Sequence, residues 1–243
     1  MLCLFSELPG VFWDKNILST WNETVFCNWG NTIGKMHRMT KKYLPPEGAY
    51  KRPLFEDNFI SLDHYENIPT VYKKMAQIQK DILTLPRDRD SYGLIHSDMH
   101  QYNLLINKGS ISVLDFDDCI YGFFALDIGI ALYHALWWGL PDDNSKKNEF
   151  ARKIIKTFMS GYQSENLLSD YWLGKITFFM QYRQIATLSW HLNYYKPVNF
   201  DVVVFNDYFN ITYNFREHIR FIENDVFYNE CNIDENDFIS TTR

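Results

Sequence analysis

Oxygen-bearing side chains concentrate between residues 96 and 118. The run His96-Ser97-Asp98-Met99-His100-Gln101-Tyr102-Asn103 stands before two short apolar stretches, and Asp115-Phe116-Asp117-Asp118 stands after them. Leu104-Leu105-Ile106 and Ile111-Ser112-Val113-Leu114 read as two strands joined at Asn107-Lys108-Gly109-Ser110, where Asn or Gly supplies the positive φ that a hairpin needs. So short a hairpin brings Asn103 beside Asp115. An amide oxygen and a carboxylate close to the further carboxylate of Asp98 suit a hard cation such as Mg2+. That ion keeps several waters and takes one or two carboxylates together with substrate phosphates.

These residues resemble the catalytic core of the protein-kinase-like superfamily, and within it the aminoglycoside phosphotransferase family, with its choline and homoserine kinases. The kinase template has H-R-D-x-x-x-x-N followed by D-F-G. Here Asp98 and Asn103 stand at that spacing, His96 lies two residues ahead of the Asp, and Asp115-Phe116-Asp117 takes the place of D-F-G. A histidine two residues after the base, His100, points to the small-molecule branch.

The resemblance implies roles. Asp98 is the catalytic residue that accepts or orients the proton of a substrate hydroxyl. Asn103 and Asp115 hold magnesium, and Asp117 is either a further ligand or a cap for the turn that follows. His96, His100 and Asp127 support the site, Asp127 by accepting backbone N–H bonds from the catalytic loop. Ser6-Glu7-Leu8-Pro9-Gly10 resembles a hinge that reads adenine, so Glu7, Leu8, Leu105 and Leu114 are expected to bind the nucleotide. The implied cofactors are Mg2+ and ATP, the implied partner a small-molecule alcohol. Gly34-Lys35-Met36-His37 resembles a helix end of the same lobe, and Arg183, Tyr182, Trp190 and His191 fall in the part that resembles a substrate-binding region. His37 and Arg183 themselves read as packing or ion-pair residues.

Other chemistry fits less well. His96-x-Asp98-x-His100 on an extended segment is compatible with zinc, but His134, His191 and His218 lack H-E-x-x-H spacing, and the positions of Asn103 and Asp115 would then be coincidence. Trp137-Trp138 and the aromatics of 172–195 fall at helical spacing, which suits a core as well as a pocket.

Helices must carry these groups. Phe26, Trp29, Ile33, Met36 and His37 predict a helix over 24–40. Val71, Met75, Ile78, Ile82 and Leu85 predict another, ending at Pro86. Residues 43–57, with Pro45, Pro46, Gly48 and Pro53, read as a loop, and Tyr92-Gly93-Leu94-Ile95 as a short apolar run. Beyond Leu126 the segments 126–139, 147–163, 167–195 and 206–224 all read as helical, and the acidic stretch 232–237 as a solvated tail. The expected fold is mainly α with a small β-hairpin (α+β), the C-terminal lobe of the protein-kinase-like fold. Its parts are a hinge-like segment over 1–10, the lobe over 11–225 with its catalytic loop and metal site at 94–118, a helical substrate-binding region at 126–225, and a tail over 226–243. No G-x-G-x-x-G and no strand-borne lysine of V-A-I-K type precedes the hinge-like segment, so a nucleotide-cradling β-lobe is expected to be missing, or supplied in cis or in trans. A catalytically silent lobe is the second reading.

Composition closes off other classes. The 243 residues are 46% hydrophobic and 22% charged, ordinary for a globular chain. With 24 basic against 30 acidic residues the net charge is −6, which gives no general attraction to nucleic acid or anionic membrane. The scattered Cys3, Cys27, Cys119 and Cys231 form no C-x-x-C and point to a reduced, cytoplasmic protein. The apolar stretch 119–140 carries Asp127, which predicts a buried helix instead of a membrane span.

Overall fold

The computed structural model describes residues 7–141, 143–206, 211–229 and 231–239; the first part of the hinge-like segment, including Cys3 and Ser6, lies outside the described residues. Helix α1 (Glu23–Thr40) starts where the Asn22 side chain accepts the Val25 N–H at 3.1 Å, and it buries Phe26, Trp29, Ile33 and His37 along one stripe. Helix α2 (Pro69–Ile82) opens on a proline, whose missing N–H has no helical partner at that position in any case, and buries Val71, Met75, Ile78 and Ile82.

Helix α3 (Phe124–Gly139) is buried on every face from Phe124 to Leu136 and forms the centre of the core. No described helix is long and apolar enough to cross a membrane. Helix α4 (Asn144–Gln163) lies directly against α1. Glycines make that approach possible: a Cβ on Gly30 would fall 1.9 Å from the Phe158 carbonyl oxygen, and one on Gly161 would fall 1.8 Å from that of Cys27. A glycine inside a helix costs about 0.5–1 kcal/mol relative to alanine, so its presence on both helices marks backbone contact. The crossing sets His37, in the last turn of α1, against Tyr162 of α4.

Strands β1 (Val11–Phe12), β3 (Leu104–Asn107) and β4 (Ser110–Val113) make one antiparallel sheet in the order β1-β3-β4, while β2 (Tyr92–Ile95) pairs with β5 (Ile120–Phe123). The β3–β4 turn is tighter than the sequence suggests. Only Lys108 and Gly109 lie outside the ladder, with φ of 49° and 86°, the all-positive geometry of a two-residue hairpin. Asn28 of α1 donates to the Gly109 carbonyl at 2.8 Å and pins this turn to the helical body.

Three expectations need correction. The helix expected over 167–195 is broken at Gly174 into α5 (Asp170–Leu173) and α6 (Ile176–Tyr195). The helix expected over 206–224 begins as a hairpin of β6 (Val203–Asn206) and β7 (Ile211–Asn214), because β-branched residues favour extended backbone there; residues 207–210 lie outside the described ones. Only α7 (Phe215–Glu223) is helical, started by Asn214 accepting the Glu217 N–H at 3.0 Å.

The acidic C-terminal stretch is not a solvated tail. After α8 (Val226–Asn229), Cys231, Ile233 and the Phe238 of α9 (Asn236–Ile239) are buried. Asp237 pairs with Arg152 of α4 at 3.3 Å. Glu235 is exposed and Asp234 and Asp237 are half-buried, while the apolar residues between and after them enter the core, and the charge count conceals that division.

Candidate active site

The loop after β2 is fastened from below by Asp127, in the first turn of α3. Its two oxygens accept the backbone N–H of His96 at 3.1 Å and of Ser97 at 2.8 Å, and Nε2 of His37 donates to it at 3.1 Å. The directions of this buried chain are fixed by its ends. A carboxylate only accepts, so His37 carries its proton on Nε2, and its Nδ1 accepts the Tyr162 hydroxyl at 3.0 Å. That hydroxyl in turn accepts the Asn166 amide at 2.7 Å. Burial alone would raise the Asp127 carboxyl; the His37 contact and the backbone donors outweigh it and hold it below the usual range. Burial lowers His37 and outweighs the opposing pull of Asp127, so the ring stays neutral. Ser97 turns the loop at φ 70° directly over this brace.

His96 ties the loop to the end of the hairpin. Its Nε2 donates to the Leu114 carbonyl at 2.9 Å while Nδ1 accepts the Asp98 N–H at 3.3 Å. Leu114 N–H donates to the Asn103 carbonyl at 2.9 Å, one step beyond the β3–β4 ladder. Asp98, Asn103 and Asp115 are thereby held on two neighbouring bends. The charges of Asp98 and Asp115 both reach Asp118, which desolvation and these two neighbours push up.

The Asp98 carboxylate is rich in donors. Arg183 of α6 approaches Oδ1 through Nη2 at 2.5 Å, and His100 Nε2 and Asn103 Nδ2 each lie 3.2 Å from Oδ2. Desolvation would raise this carboxyl, but the Arg183 guanidinium and the His100 bond dominate and keep it ionised far below its ordinary value. His100 accepts the Tyr102 N–H on Nδ1, so its proton also sits on Nε2. With both rings of His96 and His100 engaged in this way, neither is free to ligate zinc. Among the described residues no group of three or more His, Cys, Asp or Glu forms a metal cluster.

The oxygens of Asn103 and Asp115 fit a hard cation. The Asn103 amide spends its N–H groups on Asp98, on the backbone carbonyl at 2.9 Å and on Oδ2, which leaves Oδ1 to face another partner. Asp115 is exposed and sits in the left-handed region at φ 57°, a conformation that turns its side chain out at the end of the hairpin. Asp117 is exposed as well, and its carbonyl accepts Arg52 Nη1 at 2.6 Å. An amide oxygen and one or two carboxylates are what Mg2+ takes from a protein when phosphates supply the rest.

Glu7 and Leu8 are exposed on the segment that leads into β1, and β1 pairs with β3 in a register that sets Phe12 opposite Leu105. Gly10, at φ 146°, lets that segment lie on β3: a Cβ there would meet Leu105 Cβ at 3.1 Å. Leu105 and Leu114 are half-buried. All four residues expected at the nucleotide thus belong to the three-stranded sheet or to the segments that adjoin it.

Two cavities of about 420 and 380 Å³, the first lined by Asp98, share Ile60, Asp118, Arg183 and Ala186 as a common wall. The first is also lined by His100, His134, Trp138 and Trp190. Sequence reasoning gave no role to His134; it placed Arg183 in the part that resembles a substrate-binding region and read it as a packing or ion-pair residue. Arg183 Nε donates to His134 Nε2 at 3.0 Å, so Arg183 reaches Asp98 from α6 while held by His134 of α3, both helices far from the catalytic loop in sequence. Trp138 and Trp190 line the cavity, whereas Trp137 packs on His218 and Phe221.

The chain matches the model of the phosphotransferase enzyme family over residues 3–162. It is 35% identical over 189 residues to the amicoumacin kinase of Bacillus subtilis (strain 168), covering 76% of this chain and 55% of that one. Among solved structures it resembles amicoumacin kinase hAmiN in complex with AMP-PNP, Ca2+ and Ami, with a TM-score of 0.70 and 27% identity over 90% of this chain and 63% of the other. A microcompartment-associated aminopropanol kinase shares the fold at a TM-score of 0.61 and 16% identity, over 86% of this chain and 64% of the other. The chain therefore spans 55% of the length of the curated relative and less than two thirds of these solved ones.

Proposed function

The chain belongs to the phosphotransferase enzyme family, and from that premise we propose that it transfers the γ-phosphate of ATP to a hydroxyl of a small molecule of the amicoumacin kind. The observation that supports this reading is that His96 ties the Asp98 loop to the Leu114 carbonyl, next in the chain to Asp115, while the Asn103 amide bonds the Asp98 carboxylate.

Asp98 is the residue that orients the acceptor hydroxyl. Its carboxylate has about four acceptor positions, and Arg183, His100 and Asn103 leave room for one more donor. A carboxylate so strongly stabilised is a weak base. Its contribution is positioning, with the proton arriving late, in keeping with a loose transition state in which alignment and charge do most of the catalysis. Asn103 Oδ1 and the Asp115 carboxylate, with or without Asp117, hold magnesium, which when bound neutralises charge on the phosphates. Glu7, Leu8, Leu105 and Leu114 are the proposed nucleotide contacts. The free thiols of Cys27 and Cys119 favour a reducing, cytoplasmic setting.

The test is to incubate the purified chain with ATP, Mg2+ and amicoumacin and to analyse the products by mass spectrometry. A phosphate ester of amicoumacin is expected. Nucleotide binding with no ester would favour the catalytically silent lobe.

A further inference from the structure

Arg183 has hydrogen-bonding capacity that neither the fold nor the bond to Asp98 uses up. One N–H of the guanidinium is spent on Asp98 Oδ1 at 2.5 Å and another on His134 Nε2 at 3.0 Å. Guanidinium has five N–H groups and no acceptor. The remaining ones have no partner among the described residues, and the side chain lies on the wall common to both cavities.

His134 fixes the direction of this fork. Because its Nε2 accepts from Arg183, its proton must sit on Nδ1, and that N–H is buried without a hydrogen-bond partner among the described residues. Burial first, and then the nearby Arg183 charge, lowers the His134 pKa well below its ordinary value, so the ring stays neutral and able to accept. The place beside the open position on Asp98 therefore presents surplus guanidinium donors next to the Arg183–Asp98 ion pair. The other titratable groups of this cavity include His100, spent on Asp98, His191, and Asp118 on the shared wall.

We propose that Arg183, oriented by His134, is a specificity-determining residue of the acceptor cavity. It receives a carbonyl or carboxylate oxygen borne next to the hydroxyl that Asp98 orients, and it excludes an ammonium group from that same position. The substrate class is thus a hydroxyl compound with an acceptor oxygen on the neighbouring carbon, as in 2-hydroxy amides, in contrast to 2-amino alcohols. This rests on the reading of Asp98 as the residue that faces the acceptor hydroxyl.

The experiment compares two probes of one skeleton, lactamide and 1-amino-2-propanol, titrated into the full chain while its histidine ring and tryptophan indole NMR signals are followed. Lactamide is expected to bind at least about tenfold more tightly, the scale set by one hydrogen bond to a charged group. Arg183→Gln should shrink the ratio to within about twofold by removing that charge-assisted bond. Arg183→Lys, which keeps the charge without the fork, should retain the order of preference at a smaller ratio. Equal or tighter binding of 1-amino-2-propanol, no binding of either probe, or an unchanged ratio in Arg183→Gln would overturn the proposal; retained dispersion of the amide spectrum shows that each variant is folded. Because the titration needs no turnover, a lost preference with phosphate transfer intact would sink only this inference. A preserved preference without transfer would sink only the kinase reading.

Discussion

Nε2 of His37, at the end of α1, lies 3.1 Å from Oδ2 of Asp127, at the start of α3, and neither side chain is accessible to solvent. The contact joins the helix pair α1–α4, through Tyr162, to the loop that carries Asp98. Asp127 therefore acts as a structural brace. It satisfies the N–H groups of His96 and Ser97 at a bend where Ser97 is already in the left-handed region. Asp127→Ala should destabilise the fold by about 1–3 kcal/mol, the cost of buried donors left unmet. Urea unfolding checks this, and an unchanged midpoint would contradict it.

Metal binding should depend on Asp115 without the fold depending on it. Asp115 is exposed, and its φ of 57° is a conformation that asparagine also tolerates. Asp115→Asn should therefore leave the melting temperature in place. It should weaken Mn2+ binding in the presence of AMP-PNP at least about tenfold, since even losses among groups behind the ligands cost that much. Electron paramagnetic resonance of free Mn2+ measures it directly.

Acid should destabilise the protein well before its carboxylates titrate. Burial lowers His191 to about 4 and His218 to about 3, and lowers His37 and His134 in the same direction. Below pH 6.5 the unfolded chain takes up protons that the folded one refuses, so stability falls as pH falls. The limiting slope is about 1.4 kcal/mol per pH unit for each such histidine. The loss should run from pH 6.5 down to about 4, the value for His191. Asp98 and Asp127, held low in the fold, add their own loss only below the ordinary carboxylate range. A melting temperature that stays flat between pH 6.5 and 4.5 would contradict the burial of neutral histidines.

The α1–α4 crossing should tolerate no side chain at Gly161. With a Cβ placed 1.8 Å from the Cys27 carbonyl oxygen, the helices must separate, and overpacking of this kind costs about 1–3 kcal/mol or more. Gly161→Ala should lower the melting temperature, although alanine is the better helix former. A rise would show that the backbones are not in contact.

The site was legible where its geometry is local. Asp98, Asn103 and Asp115 flank one hairpin, and the spacing of its strands is enough to bring their bends together. The place of Asp127 under the loop was implied by the family resemblance, with which the need of a lone carboxylate in an apolar helix start for donors agrees. The Arg183–Asp98 pair and the His134 bond that holds it were not legible, because Arg183 comes from α6 and His134 from α3, and no spacing along the chain relates them to Asp98. Strand β5 was missed because Ile120–Phe123 runs into α3 without a turn residue to separate the two. The Asn214-x-x-Glu217 pattern, a helix-start signal, was present in the sequence and would have placed the beginning of α7 correctly.

The central claim is that Asp98 orients the hydroxyl to which phosphate is transferred. Single-turnover transfer from radiolabelled ATP to amicoumacin, compared between the parent chain and Asp98→Asn at saturating nucleotide, tests it most directly. The account predicts that ester forms with the parent chain and that its rate falls at least about a hundredfold in the variant, the scale of a positioned acid–base group, while AMP-PNP still binds. Ester formation within a few-fold of the parent rate, or none with the parent chain itself, would contradict it.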